Sequence, residues 1–339
     1  MLRMPAEWEP HDATWISWPT NHGTFPGNTL KKVEDIYLQI ITALHEDEKV
    51  NILVNSEESK RQVARISEEH GIVENVFFHI IETADVWIRD YGPIFVRNEQ
   101  NKLIATKWGY NAYGNKYDDL KEDDTVAEKI IKVLNARMLK SGIILEGGSI
   151  EANGKGTLIT TEQCLLNKNR NAHLSRQQID KYLSKYLGIS NVIWLKNGIK
   201  GDDTDGHVDD MARFVNERTI VCALEEDKSE ENYFALKDNF EILQKAKDQD
   251  DEKFLVKALP MPKKVESRYG RLPASYANFY IGNGAVLLPV FNQESDEKAI
   301  ELLEESFPDR KVVPIECTAL VYGFGGIHCI TQQQPIEKS

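Results

Sequence analysis

The strongest constraint on how this chain can fold is a repeated order of elements. Four stretches read as β-hairpins, with β-prone arms around turns of Asn, Gly or charged residues: PIFVRNEQNKLIATKW, SIEANGKGTLITTE, ARFVNERTIVCALE and NFYIGNGAVLLPVF. Apolar residues recur at helical spacing after each of them: Val126, Ile130, Val133 and Leu134; Ile179, Tyr182, Leu183 and Tyr186; Tyr233, Leu236, Phe240 and Leu243; Ala299, Leu302, Leu303 and Phe307. A further stripe, Val33, Ile36, Tyr37, Ile40, Ile41 and Leu44, comes before them all, and a shorter helix is expected around Val63 and Ile66. The unit of hairpin, helix and strand therefore occurs four times. A fifth copy needs its hairpin from both ends of the chain, ATWISWP pairing with IHCITQQQ, and such pairing closes a ring.

One open, doubly wound sheet also alternates strands and helices, but a fully parallel sheet has no place for inserted antiparallel hairpins. Repetition at about 50 to 60 residues favours a propeller-like ring. The expected fold is α/β, a pseudo-fivefold α/β propeller of ββαβ units with its active site on the axis. No linker interrupts the pattern, and the charged run KAKDQDDEK reads as a solvated helix end and loop, so residues 1–339 are expected to form a single catalytic domain.

Charge narrows the partners. The chain carries 41 basic and 54 acidic residues, a formal charge of −13, which disfavours nucleic acid and anionic membrane surfaces and favours small cations. No stretch approaches the roughly 20 apolar residues that cross a bilayer, and MLRMPAEWEPHD lacks the apolar centre of a signal peptide, so a cytoplasmic protein is expected. Assembly is open, a homodimer being compatible with the sequence. Cys164, Cys222, Cys317 and Cys329 lack CxxC spacing, which argues against a disulfide framework or a structural zinc site.

The unusual polar chemistry precedes the hairpins: ADVWIRDYGP, LEGGS, GDDTDGHVDD and ASYAN, with GFGGIHC before the closing strand. In a ring these segments meet near the axis and bring Asp90, Glu146, His207, Asp209 and Cys329 to one pocket. GDDTDGHVDD packs five aspartates around one histidine, and so much like charge calls for a cation or many hydrogen-bond donors. Each residue also has an ordinary reading. Cys329 fits a buried inert thiol, His207 a core histidine, Asp90 a turn residue, Glu146 a partner for backbone amides, and Trp87, Trp108 and Tyr110 core or rim packing. His207 and Asp209 offer two ligands to a divalent ion, but no HExxH or other histidine cluster completes a set, and no metal is expected.

RMPAEWEPHDATWISWP, DVWIRDYGP, LEGGSIEANGKGTLITTEQCLLNKNRN, DGHVDD, YANFYI and GGIHCITQQQP together resemble the agmatine deiminases, which belong with the bacterial-type peptidylarginine deiminases in the guanidine-modifying superfamily. The resemblance runs from Arg3 to Pro335 and implies the same fivefold propeller. It implies Cys329 as nucleophile, His207 as general acid and base, Glu146 as the carboxylate orienting that histidine, and Asp90 and Asp209 as the pair holding the guanidinium. Asp203 stands where a second positive group of the substrate can be met, and Trp87 and Tyr113 are expected at the substrate. In WGYNAYG, Tyr113 takes the place of a tryptophan common in the family.

These residue types suit the reaction. A guanidinium carbon is resonance-stabilised and resists water, so a thiolate that adds to it, expels ammonia and is then released by water divides the difficulty in two. The carboxylate pair orients the planar cation, while tending to raise the pKa of the cysteine. No organic cofactor is required. The alternatives are a deiminase of arginine or peptidylarginine, for which Arg268 and Arg271 are candidate carboxylate partners, an amidinotransferase, and a non-catalytic module that binds cationic peptides or polyamines.

Overall fold

The computed structural model describes residues 2–337, so Met1, Lys338 and Ser339 of the expected 1–339 domain lie outside the described residues. Strands β1 (His11–Ser17), β2 (Lys49–Val54) and β3 (Val76–Ile80) form the first group. Then come β4 (Ile94–Arg97), β5 (Leu103–Gly109) and β6 (Arg137–Ile144), followed by β7 (Ile150–Ala152), β8 (Thr157–Thr161) and β9 (Asn191–Leu195). The next set is β10 (Ala212–Asn216), β11 (Thr219–Leu224) and β12 (Leu255–Pro260). After a small hairpin of β13 (Glu266–Ser267) and β14 (Gly270–Arg271) come β15 (Tyr280–Ile281), β16 (Ala285–Val290) and β17 (Lys311–Glu316), and finally β18 (Gln332–Pro335).

The pairing repeats. In β4-β5-β6, β7-β8-β9, β10-β11-β12 and β15-β16-β17 the first two strands are antiparallel and the third joins the second in parallel. The fifth group is built from both chain ends: β18 runs antiparallel to β1, with Trp15 opposite Gln332, and β2 joins β1 in parallel. This group departs from the sequence reading by adding β3 beyond β2. The β13-β14 hairpin is also outside the repeat. Its strands are two residues each, too short to show alternation.

Parallel pairing demands a crossover, and helices supply it. Thr29–Leu44 joins β1 to β2 and buries Val33, Ile36, Tyr37, Ile40, Ile41 and Leu44, one stripe along the helix. Arg176–Leu187 joins β8 to β9. It starts in a capping box, Ser175 with Gln178, and stops at Gly188, whose φ of 74° and backbone contact with Leu2 leave no room for a side chain. The shorter helix expected around Val63 and Ile66 spans Glu57–Glu69 and is capped by Ser56. Val133 departs from its stripe. It is the last residue of the helix Val126–Val133 and is 49% exposed. Among the described residues no helix is long and apolar enough to cross a membrane.

Candidate active site

Four short helical turns hold the site: Ile88–Tyr91, Gly147–Ser149, Val208–Asp210 and His328–Ile330. Each lies in a segment that leads into β4, β7, β10 or β18. Glycine lets them close together. A methyl group on Gly147 would stand 2.1 Å from the Arg89 carbonyl oxygen. One on Gly148 would stand 2.6 Å from His207 Nδ1 and 2.9 Å from both Asp209 Oδ2 and Asp90 Oδ1. Gly148 is thus the point around which the histidine and both aspartates are arranged.

The five expected residues are all buried, and three of them, Asp90, His207 and Asp209, converge there directly. Asp90 Oδ1 accepts the Gly148 amide at 2.9 Å and lies 3.7 Å from His207 Nδ1, while Asp90 Oδ2 accepts the Tyr113 hydroxyl at 2.9 Å. Burial, with Asp209 and Glu146 adding to it against the pull of His207, raises Asp90 to about 6. Asp209 Oδ2 takes a 2.7 Å bond from His328 Nδ1, and Cys329 Sγ is 3.8 Å from the same oxygen. Burial works to raise the Asp209 pKa, but His328, His207 and Arg213 outweigh it and leave it below the ordinary value.

Cys329 Sγ also accepts a 3.2 Å bond from Asn278 Nδ2. Burial and the carboxylates of Asp209, Asp210 and Asp90 push its thiol well above the usual range. His207 is held well above 6.5. Burial opposes that shift, and Asp90, Cys164 and Asp209 overcome it. Four buried polar atoms here have no hydrogen-bond partner among the described residues: both ring nitrogens of His207, Asp209 Oδ1 and Glu146 Oε2.

Glu146 makes no hydrogen bond to His207 here: Arg170 Nε takes its Oε1 at 2.6 Å, and its Oε2 has no partner among the described residues. Arg170, itself buried, also bonds Asp205 and the Thr204 carbonyl, tying LEGGS to the acidic loop. Cys164 joins Glu146 and His207 in a cluster, the donor atoms of the three being within 4.8 Å of one another. Such a sulfur, nitrogen and oxygen set is of the kind that holds a soft divalent ion, although the Arg170 guanidinium already serves Glu146.

Cys329, Asp90, Trp87, Tyr113 and Asp203 share the wall of one cavity of about 480 Å³. A second hollow of about 540 Å³, beside Asp12, Lys102 and Arg137, contains none of the expected site residues. Asp203 is a partly exposed residue of the cavity wall, its carboxylate already engaged by Lys116 and the Tyr117 hydroxyl. Tyr113 belongs to Ala112–Asn115, four consecutive residues with φ between 53° and 84°, a left-handed run that tyrosine and alanine rarely adopt. Trp87 packs against Gly325 so closely that a methyl group there would be 2.3 Å from its ring.

The other aspartates of the acidic loop do different work. Asp202 accepts the amides of Thr204, Gly206 and His207, Asp205 pairs with Arg170 and Lys116, and Asp210 accepts Asn278 Nδ2. Sequence reasoning did not single out Arg170, Asn278, His328 or Asp85. The motifs LLNKNRN, YANFYI, GGIHC and ADVW contained them, and their polar character beside the chosen residues was the available signal.

A family model described as Porphyromonas-type peptidyl-arginine deiminase matches residues 3–335. An agmatine deiminase of Pseudomonas aeruginosa is 35% identical over 99% of this chain and 96% of its own. The solved agmatine deiminase of Enterococcus faecalis, described as catalysing its reaction, is 31% identical and superposes with a TM-score of 0.91 over 99% of this chain and 96% of its own. A cysteine-to-serine variant of the C. jejuni agmatine deiminase with substrate bound is 32% identical, with a TM-score of 0.90 over 99% and 97%.

Proposed function

This chain belongs to the Porphyromonas-type peptidyl-arginine deiminase family, and from that premise we propose that it is a hydrolase of linear amidines that converts agmatine and water to N-carbamoylputrescine and ammonia, a step toward putrescine. The observation that carries the reading is the cluster of buried, unpartnered donors and acceptors beside the cysteine of the cavity: both His207 nitrogens, Asp209 Oδ1 and Glu146 Oε2. The relatives and solved structures named for agmatine support the choice of substrate. The five sheets are read as a pseudo-fivefold propeller within one catalytic domain, with the site on its axis.

Asp90 and Asp209 hold the guanidinium between them, and Tyr113 yields Asp90 Oδ2 as the substrate enters. The bound cation opposes the carboxylate field on Cys329 and so favours loss of its proton to solvent. The thiolate adds to the guanidinium carbon. His207, protonated, gives its proton to the departing nitrogen, and the C–N bond breaks to release ammonia and leave a thiouronium on Cys329. Neutral His207 then takes a proton from water, whose oxygen adds to the same carbon. The C–S bond breaks, the urea product leaves, and its surplus hydroxyl proton converts ammonia to ammonium. Glu146, held by Arg170, acts through the surroundings of His207. Trp87 and Tyr113 wall the methylene chain, and Asp203 offers negative charge toward the far ammonium.

The test is ammonia release by the purified protein from agmatine, free arginine and a peptide ending in arginine, with the product weighed by mass spectrometry. Agmatine is expected to lead by about a hundredfold or more in kcat/KM, since a carboxylate on the substrate meets fixed anions. Equal rates for agmatine and arginine, or preference for the peptide, would move the protein to another branch of the family.

A further inference from the structure

Asp85 is a carboxylate of the cavity that none of the steps above uses. Its side chain is 3% exposed and accepts three hydrogen bonds, from Thr24 Oγ1 at 2.6 Å, the Val86 amide at 2.9 Å and Trp87 Nε1 at 3.2 Å. All three donors are neutral. Among the described residues no lysine, arginine or histidine bonds or ion-pairs with it. The groups that face it are Tyr37, Tyr91, Asp119 and Asp123, of which the last accepts the Asp85 amide. An ionised carboxylate kept from water without a cation is unfavourable, and such a group is stabilised by whatever positive charge enters the cavity.

Trp87 fixes where that charge would stand. The indole N–H end of Trp87 rests on Asp85, and the far edge of its six-membered ring lies against Gly325, four residues before the nucleophile in sequence. One indole thus separates the carboxylate of Asp85 from the Gly325–Cys329 turn, and a chain of four methylenes lying along that ring would carry a guanidinium at one end and an ammonium at the other. The carboxylate expected from the sequence to meet this ammonium, Asp203, already has Lys116 and Tyr117. Resting on the agmatine reading, we propose that Asp85 is the specificity-determining residue that receives the substrate's terminal ammonium, with Trp87 setting the length of chain that reaches it.

Burial also raises Asp85 to about 6, Asp119 adding to the shift and the three donors opposing it. This gives a second, mutation-free test.

The experiment compares agmatine with butylguanidine, which has the same guanidinium and four-carbon chain but no ammonium. In Asp85→Asn, kcat/KM for agmatine is expected to fall by about thirtyfold or more while that for butylguanidine changes by less than about twofold, the loss of one charge-assisted contact. If both substrates fall alike, Asp85 only braces Trp87 and the proposal is overturned. It is equally overturned if agmatine is unaffected. Should the variant fail to fold, the wild-type ratio of the two kcat/KM values is read against pH. Protonation of Asp90 affects both substrates and cancels in the ratio, so the ratio should decline as pH falls through about 6, the value for Asp85. A ratio independent of pH between 5 and 8 would contradict the assignment. A wild type that attacks butylguanidine and not agmatine would overturn both this proposal and the agmatine reading, whereas one active on agmatine with an unchanged ratio overturns this proposal alone.

Discussion

Two buried groups of charges lie side by side in this molecule, and they are treated in opposite ways. Around Glu7, every carboxylate oxygen has a cation: Oε1 takes Arg213 at 2.8 Å, and Oε2 takes His328 at 2.8 Å and Arg89 at 3.4 Å. Arg213 continues to Glu151 at 3.0 Å. Burial alone would raise the Glu7 pKa, yet Arg213, His328 and Arg89 hold it well below the ordinary value. Around the cavity, Asp85 and Asp90 are bonded mainly by neutral donors and sit at about 6. The first group is complete and joins the amino-terminal segment to the sheets. The second has more carboxylate than His207, 3.7 Å from Asp90, can balance, as a socket for a cation should. Asp209 belongs to both, with Oδ2 on His328 and Oδ1 free toward the site.

The largest effect isolates the comparison from the reaction. Cys329→Ser is expected to lower ammonia release by about a thousandfold or more, because a hydroxyl is a poor nucleophile at neutral pH. Both charge groups should survive it, and agmatine should still bind. A serine variant with a substantial fraction of wild-type activity would remove Cys329 as nucleophile. A haloacetamidine reagent should likewise label Cys329 and spare Cys164, Cys222 and Cys317, which are buried and do not line the cavity.

Next come the two groups themselves. Arg213→Met leaves Glu7 and Glu151 short of a cation in a dry interior and should cost about 3 to 5 kcal/mol in unfolding free energy. Asp90→Asn should cost the fold nothing and raise its melting temperature at pH 8, while weakening agmatine by about 2 to 5 kcal/mol. Denaturant melts and calorimetry on the Cys329→Ser background read both. Equal destabilisation by the two substitutions would erase the distinction between the groups.

The pH response should separate them too. Asp90 titrates at about 6 when folded, against roughly 3.9 in an unfolded chain. Between those values the folded state binds the extra proton, so this carboxyl favours the fold as pH falls and opposes it above about 6. Agmatine needs the anion, and its affinity should drop as pH falls through about 6. Glu7 has the reverse sign. Its contribution is present above the ordinary glutamate pKa and is lost as acid protonates it below that value. An agmatine affinity that is flat from pH 5 to 8 would count against Asp90. The smallest expected effect is that of Asp203→Asn, a few-fold in kcat/KM for agmatine, because Lys116 already screens that half-exposed carboxylate.

Local patterns in the sequence carried much of this. Hairpins announced themselves through their turns, helices through stripes such as Val33 to Leu44, and the pairing of β1 with β18 through the need for a fifth hairpin. What stayed hidden depends on distance along the chain. Arg170 reaches Glu146 across 24 residues, and Glu7 meets His328 across 321. No spacing rule connects them. The five aspartates of GDDTDGHVDD were also indistinguishable as letters, since a loop brace (Asp202), a pair for Arg170 (Asp205) and a socket wall (Asp209) differ only in the neighbours that folding supplies. For the same reason Asp85 was not singled out.

The central claim is that the cavity carboxylates wait for the guanidinium of the substrate, and titration calorimetry of Cys329→Ser with agmatine at pH 8 tests it most directly. The account predicts saturable binding at one site per chain, weakened by about thirtyfold or more when Asp90→Asn is added. Binding that is absent, or that is unchanged by Asp90→Asn, would contradict it.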